Sequence, residues 1–160
     1  MRDLAAAAAE ARRVFAIPQA ERALLARIGE TLVVPAGHCL IREGADGEDF
    51  FVVLAGELEV EADRRRVGLI TTGGVVGEMV LFNARRRTST VTALTECKLV
   101  RLASATFLRY VHRGDTAAIA IMERLGGVMI GRLQAADRAH SLSRQDGDGS
   151  AVRLRKRMLK

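Results

Sequence analysis

The sequence predicts a mainly β domain, a sandwich or jelly-roll barrel, with helices before and after it. From Thr31 to Leu102, short apolar runs of strand period recur at even spacing, separated by Gly, Pro and charged turn residues. Before Thr31 and after Ala103 the apolar period changes to that of helices. The 160 residues are 49% hydrophobic but only 4% aromatic, with no Trp, so one ordinary core must be built from Val, Leu, Ile, Ala and a few Phe.

Each element follows from local pattern. Leu4 to Val14 is helical by composition, and Met1–Ala9 lacks the basic start and apolar centre of a secretory signal. Pro18 opens a second short helix, with Glu21 in its first turn and Leu24, Leu25 and Ile28 on one face; Gly29 ends it. Thr31–Val34 and Cys39–Ile41 are strands flanking a turn at Pro35-Ala36-Gly37, and Glu43-Gly44 turns the chain again. Asp49–Val53 is a strongly apolar strand, Gly56 a turn or bulge, and Glu57–Glu61 alternates charged with apolar residues, which leaves one face wet. Arg64–Arg66 is expected at a hairpin tip with Val67–Thr71 returning. Gly73-Gly74 then breaks the chain before Thr90–Ala93 and Cys97–Leu102 complete the strands.

Ser104 is expected to N-cap a short helix carrying Phe107, Leu108 and Val111, and Asp115 to cap a longer one. Met122, Leu125, Met129, Leu133 and Ala136 form a stripe along the latter. Gly126, Gly127 and Gly131 each weaken it by about 1 kcal/mol relative to Ala, yet allow close approach, so a packed helix is expected. The partition is one domain over 1–140 (helices 4–29, β-roll 31–102, C-terminal helices 104–140) and a flexible basic tail over 141–160.

Charge and cysteine content narrow the function. Much of the net charge of +6 lies in Arg153, Arg155, Lys156, Arg157 and Lys160, so the globular part is nearly balanced and a basic nucleic-acid face is poorly supported. Cys39 and Cys97 stand far apart in apolar stretches and read as buried, reduced thiols of a cytoplasmic protein. No apolar run approaches bilayer length. His38, His112 and His140 do not form the close pairs of a metal site, which argues against a cupin-type enzyme or a metal-dependent hydrolase.

The most informative stretch is Gly77-Glu78-Met79-Val80-Leu81-Phe82, followed by Arg85-Arg86-Arg87-Thr88-Ser89-Thr90-Val91. Gly permits close backbone approach to an anion, a short helical turn aims N–H groups at it, and Arg supplies a guanidinium fork. The combination suits one small phosphate-bearing ligand. Three consecutive arginines leave two registers, Arg87 favoured by the Arg-Thr-Ser-Thr-Val run and Arg86 the alternative.

With Pro35-Ala36-Gly37, Ile41-Arg42-Glu43-Gly44 and Phe51–Gly56 upstream at the right spacings, the chain from about Phe15 to His140 resembles the cyclic nucleotide-binding domain family. The resemblance implies an eight-stranded β jelly roll with N-terminal helices and a long C-terminal helix. It implies that Gly77, Met79 and Val80 offer backbone amides to a cyclic phosphate and that Glu78 takes the ribose 2′-hydroxyl. Arg87 would pair with the exocyclic phosphate oxygens, and Thr88 and Ser89 would add a hydroxyl and an amide. By likeness to the catabolite-activator branch, Arg132, Ala136 and Asp137 would lie near the base. Ala136 and Asp137 stand where that branch has small hydroxyl residues. Thr88 and Asp137 resemble what cyclic nucleotide-gated channels turn toward guanine, so cAMP and cGMP both stay open as ligand.

The implied protein is a cytoplasmic sensor without catalytic activity or cofactor, acting through an effector protein whose identity is not written in the sequence. The 116–140 helix would either pack on its own barrel or form a homodimer. A reduced transcription regulator, using the basic tail on nucleic acid, is the alternative. The tail lacks aromatics and a recognition helix, so only weak, salt-sensitive phosphate binding would follow.

Overall fold

A computed structural model describes residues 18–127 and 129–131. Helix α1 is Gln19–Ile28, entered through Pro18 and closed by Gly29, whose N–H donates to Leu25 O. Eight strands follow among the described residues: β1 Glu30–Val34, β2 Cys39–Ile41, β3 Asp49–Ala55, β4 Leu58–Ala62, β5 Arg65–Ile70, β6 Val75–Val76, β7 Thr90–Ala93 and β8 Cys97–Ala103. A 3₁₀ turn, Glu78–Phe82, lies between β6 and β7. Helix α2 is Ser104–His112, and a further helix starts at residue 116. Two compact units divide the chain at Met122; the second is helical at 123–127 and 129–131.

The strands form two antiparallel four-stranded sheets, ordered β1-β8-β3-β6 and β2-β7-β4-β5. This is the jelly roll expected from the sequence. Alternate side chains of both sheets fill the space between them: Val34, Phe51, Val53, Val76, Cys97 and Leu99 from one, Ile41, Leu58, Val91 and Ala93 from the other. The opposite face of the first sheet is also apolar. Phe50, Val52, Val100 and Leu102 are buried there, beneath the helices, which is why β3 reads as a continuous apolar run and not an alternating one.

The helical layer is anchored on that outer face. Phe107 of α2 is fully buried and meets Phe50 edge-to-face, ring centroids 5.4 Å apart. Arg27 lies over the Tyr110 ring at 5.5 Å and reaches Asp115 at 4.0 Å, tying the end of α1 to the end of α2. Gly29 sits against β8, where an added Cβ would strike Val100 Cγ1 and come within 2.7 Å of Leu25 O.

Three local expectations shift. The β4–β5 hairpin tip is Asp63-Arg64, not Arg64–Arg66, and Arg65 already pairs with Ala62. Both tip residues take positive φ, 50° and 61°, the mirror-image turn that matches strand twist. Ser104 lies inside α2, because β8 runs directly into the helix and Ala103 takes the cap position. The Ser104 N–H is satisfied by Glu48 O at 2.9 Å. Cys39 is half-buried, not buried, whereas Cys97 is buried; both thiols are free. Asp115 caps as expected, its Oδ1 accepting from Ala118 N–H at 2.9 Å.

Candidate functional site

The site begins where β6 ends. Gly77 takes a left-handed conformation, φ 75° and ψ 8°, which turns the chain out of the sheet into the 3₁₀ turn. The three-residue period of that turn buries Glu78 and Leu81 and leaves Met79 and Phe82 partly exposed. Glu78 is only 5% exposed although it is a carboxylate. Val80 N–H donates to Gly77 O at 3.3 Å, and Asn83, also left-handed, ends the turn by donating to Met79 O.

The chain then pairs with the loop before β3. Gly47 N–H donates to Arg85 O at 3.2 Å, Arg87 N–H to Ala45 O at 2.8 Å, and Gly44 N–H to Arg87 O at 2.8 Å, with an antiparallel bridge between Asp46 and Arg86. Side chains alternate across such a ladder, so Arg86 and Arg87 must face opposite ways. Arg86 is exposed; Arg87 is half-buried and its Nη1 donates to Gly77 O at 3.3 Å. Arg85, nearer the turn, is exposed. Backbone pairing thus turns Arg87, and not Arg86, toward the Gly77 turn.

Arg87 is held in a slot made by two glycines. A Cβ on Gly47 would collide with the guanidinium, lying 2.5 Å from Cζ, and one on Gly77 would lie 2.7 Å from Nη1 and 3.1 Å from both Asp49 O and Ile41 Cδ1. Burial pulls the Arg87 pKa below the ordinary arginine value, and the Asp49 carboxylate opposes that shift. Arginine stays charged regardless. The result is a partly desolvated cation beside a left-handed glycine turn, an arrangement that favours an anion with several acceptor oxygens.

Of the residues predicted for the site, Gly77 and Arg87 meet directly, Glu78 is buried at the head of the same turn, and Met79 and Val80 follow it. Thr88 is exposed and Ser89 half-buried just beyond Arg87. Arg132 and Asp137 lie outside the described residues, as do Ala136 and the 141–160 tail. Gly47 and Asp49 were not singled out from the sequence. Gly-Ala-Asp-Gly-Glu-Asp reads as an ordinary polar loop, and only the pairing with 85–87 shows that Arg87 passes over it. Among the described residues no three His, Cys, Asp or Glu side chains could hold a metal ion together, and no helix is long and apolar enough to cross a membrane.

Comparison with known proteins identifies the family and the fold. The cyclic nucleotide-binding domain profile matches residues 31–113, more than half of the chain, which therefore belongs to that family. The cAMP-dependent protein kinase regulatory subunit of Eremothecium gossypii is 38% identical over 92 residues, 56% of this chain and 20% of that protein. The cGMP-dependent protein kinase egl-4 of Caenorhabditis briggsae is 36% identical over 78 residues, 49% of this chain and 10% of that protein. The chain thus spans only a tenth to a fifth of the length of these relatives. Among solved structures, the catabolite activator protein of Thermus thermophilus superposes with a TM-score of 0.70 at 20% identity, over 80% of this chain and 61% of that one.

Proposed function

We propose that this chain is a cyclic nucleotide sensor. The cyclic phosphate sits between the Gly77 turn and the Arg87 guanidinium, and Glu78 accepts from the ribose 2′-hydroxyl. The observation that carries the reading is the inward Arg87, aligned by its backbone pairing with residues 44–47 and directed at a left-handed glycine. The likeness to a cAMP-dependent kinase regulatory subunit and to a cGMP-dependent kinase supports both nucleotides as candidates, with cAMP the first to test.

The reading assigns no catalytic step. Ligand binding would bias the position of the helices that follow the barrel, by as much as the ligand's affinity differs between two arrangements. The 3₁₀ turn packs against α2, and Phe107 joins α2 to β3 through Phe50, so a shift of the turn has a physical route into the helical layer. The output would be contact with an effector protein in the cytoplasm, with the helix that starts at residue 116 as the candidate dimer element.

Calorimetric titration of the whole chain with cAMP and with cGMP, beside Arg87→Ala, tests the proposal. Each charge-assisted hydrogen bond contributes about 1.5–3 kcal/mol, so loss of two should weaken binding by about a hundredfold or more. Binding that is unchanged in a folded Arg87→Ala protein would refute the assignment of the anion site.

A further inference from the structure

Arg87 is aligned by a loop, and that loop is itself anchored by Glu43. Residues 44–47, between β2 and β3, carry the backbone pairing that turns Arg87 toward Gly77. Glu43, just before them, is fastened twice. Its N–H donates to Thr90 Oγ1 at 3.1 Å, at the start of β7, and its Oε2 accepts from Asp63 N–H at 3.1 Å. Asp63 is the first of the two left-handed residues at the β4–β5 hairpin tip. The hydrogen bond of such a turn joins the residues on either side of the tip, so the Asp63 N–H needs a partner from outside the hairpin. Glu43 supplies that partner, while its neighbour Gly44 donates to Arg87 O at 2.8 Å. Among the described residues, no other side chain from 42 to 48 forms a hydrogen bond.

That anchorage has a consequence for affinity. A ladder aims a side chain only as firmly as its second strand is held. Glu43, Gly44 and Ala45 are all exposed, so hydrogen bonds, and not burial, must set their position; exposed segments of this kind open locally at low free energy. Resting on the cyclic nucleotide reading above, we infer that Glu43 is a positioning residue for ligand affinity: by tying the loop before β3 to the tip of the β4–β5 hairpin, it steadies the backbone ladder that aims Arg87 at the phosphate. Glu43 touches no ligand, and its effect passes through the Gly44 and Ala45 bonds to Arg87. By reciprocity, a ligand that is held better when the tip is tied must itself stiffen the tip.

Amide hydrogen exchange of the ligand-free full chain, beside calorimetric titration with cAMP, tests this. Glu43→Ala removes the bond to Asp63 N–H, whereas Glu43→Gln keeps an acceptor and removes only the charge. Their difference therefore isolates the tether from the loss of a negative charge near an anion site. Glu43 is exposed, so both variants should fold, which the thermal midpoint checks. One hydrogen bond corresponds to about a two- to tenfold effect. Glu43→Ala is expected to speed exchange of the Asp63 and Arg87 amides and to weaken cAMP by about that factor relative to Glu43→Gln. Asp115→Ala, which removes a single bond elsewhere, is the control for general destabilisation and should leave cAMP affinity nearly unchanged. Equal cAMP affinity in Glu43→Ala and Glu43→Gln refutes the assignment alone. A loss in Glu43→Ala with wild-type exchange at Arg87 refutes it too, by removing the ladder as the intermediary, and so does an equal loss in Asp115→Ala. Wild-type protein that binds neither cAMP nor cGMP overturns the sensor reading, and this assignment with it.

Discussion

Gly47→Ala should disarm the site without unfolding the protein. Gly47 has no positive φ that a side chain would strain, so the substitution acts through space and not through the backbone. Its new Cβ would stand 2.5 Å from Arg87 Cζ, about 1 Å inside an ordinary heavy-atom contact. The obstacle is the end of a flexible side chain, so the guanidinium moves and the loop stays. A displacement of about 1 Å breaks the Arg87 Nη1 bond to Gly77 O, already long at 3.3 Å, and misaims the fork at the phosphate. One to two charge-assisted hydrogen bonds at about 1.5–3 kcal/mol each correspond to a loss of roughly ten- to ten-thousandfold in cAMP affinity. Calorimetry reads the affinity, and the thermal midpoint reads the fold. Wild-type affinity in Gly47→Ala, with Arg87→Ala still inactive, would show that Arg87 does not act from the position described here.

Other perturbations separate the parts of the account. Glu78→Gln should remove discrimination between cAMP and its 2′-deoxy analogue, which the native carboxylate should disfavour by about tenfold or more; equal discrimination in both proteins, measured by competition, would exclude Glu78 from the ribose. Phe107→Ala empties a fully buried site against Phe50 and should cost about 3–5 kcal/mol, lowering Tm by more than about 10 °C. Asp115→Ala removes the bond to Ala118 N–H and should cost about 1 kcal/mol in denaturant unfolding, with cAMP affinity nearly unchanged.

The parts of the fold readable in the sequence are those set by local rules. Strand period, the Pro18 and Gly29 boundaries of α1 and the Asp115 cap depend on neighbours a few residues away, and each falls where the pattern places it. Three consecutive arginines look like a hairpin tip, whereas the turn geometry needs two left-handed residues and takes Asp63 and Arg64. In the site, Gly77 and Glu78 are marked by their own motif. The choice between Arg86 and Arg87 is not local: it depends on alternation across a ladder with residues 44–47. Gly47 and Asp49 are harder still, since their significance arises only once Arg87 crosses over them. Glu43 reads as an ordinary turn residue until the β4–β5 hairpin tip is laid beside it.

The most direct test of the central claim is NMR titration of ¹⁵N-labelled protein with cAMP, following the backbone amides and the arginine Nε–H signals together. A nucleotide held by the Gly77 turn and Arg87 should give saturable shifts centred on the amides of Gly77 to Val80 and on the Arg87 Nε–H, with Arg85 and Arg86 nearly unmoved. Saturable binding that leaves Gly77, Glu78 and Arg87 unshifted would place the nucleotide elsewhere, and no saturable shift with either cAMP or cGMP would contradict the sensor reading itself.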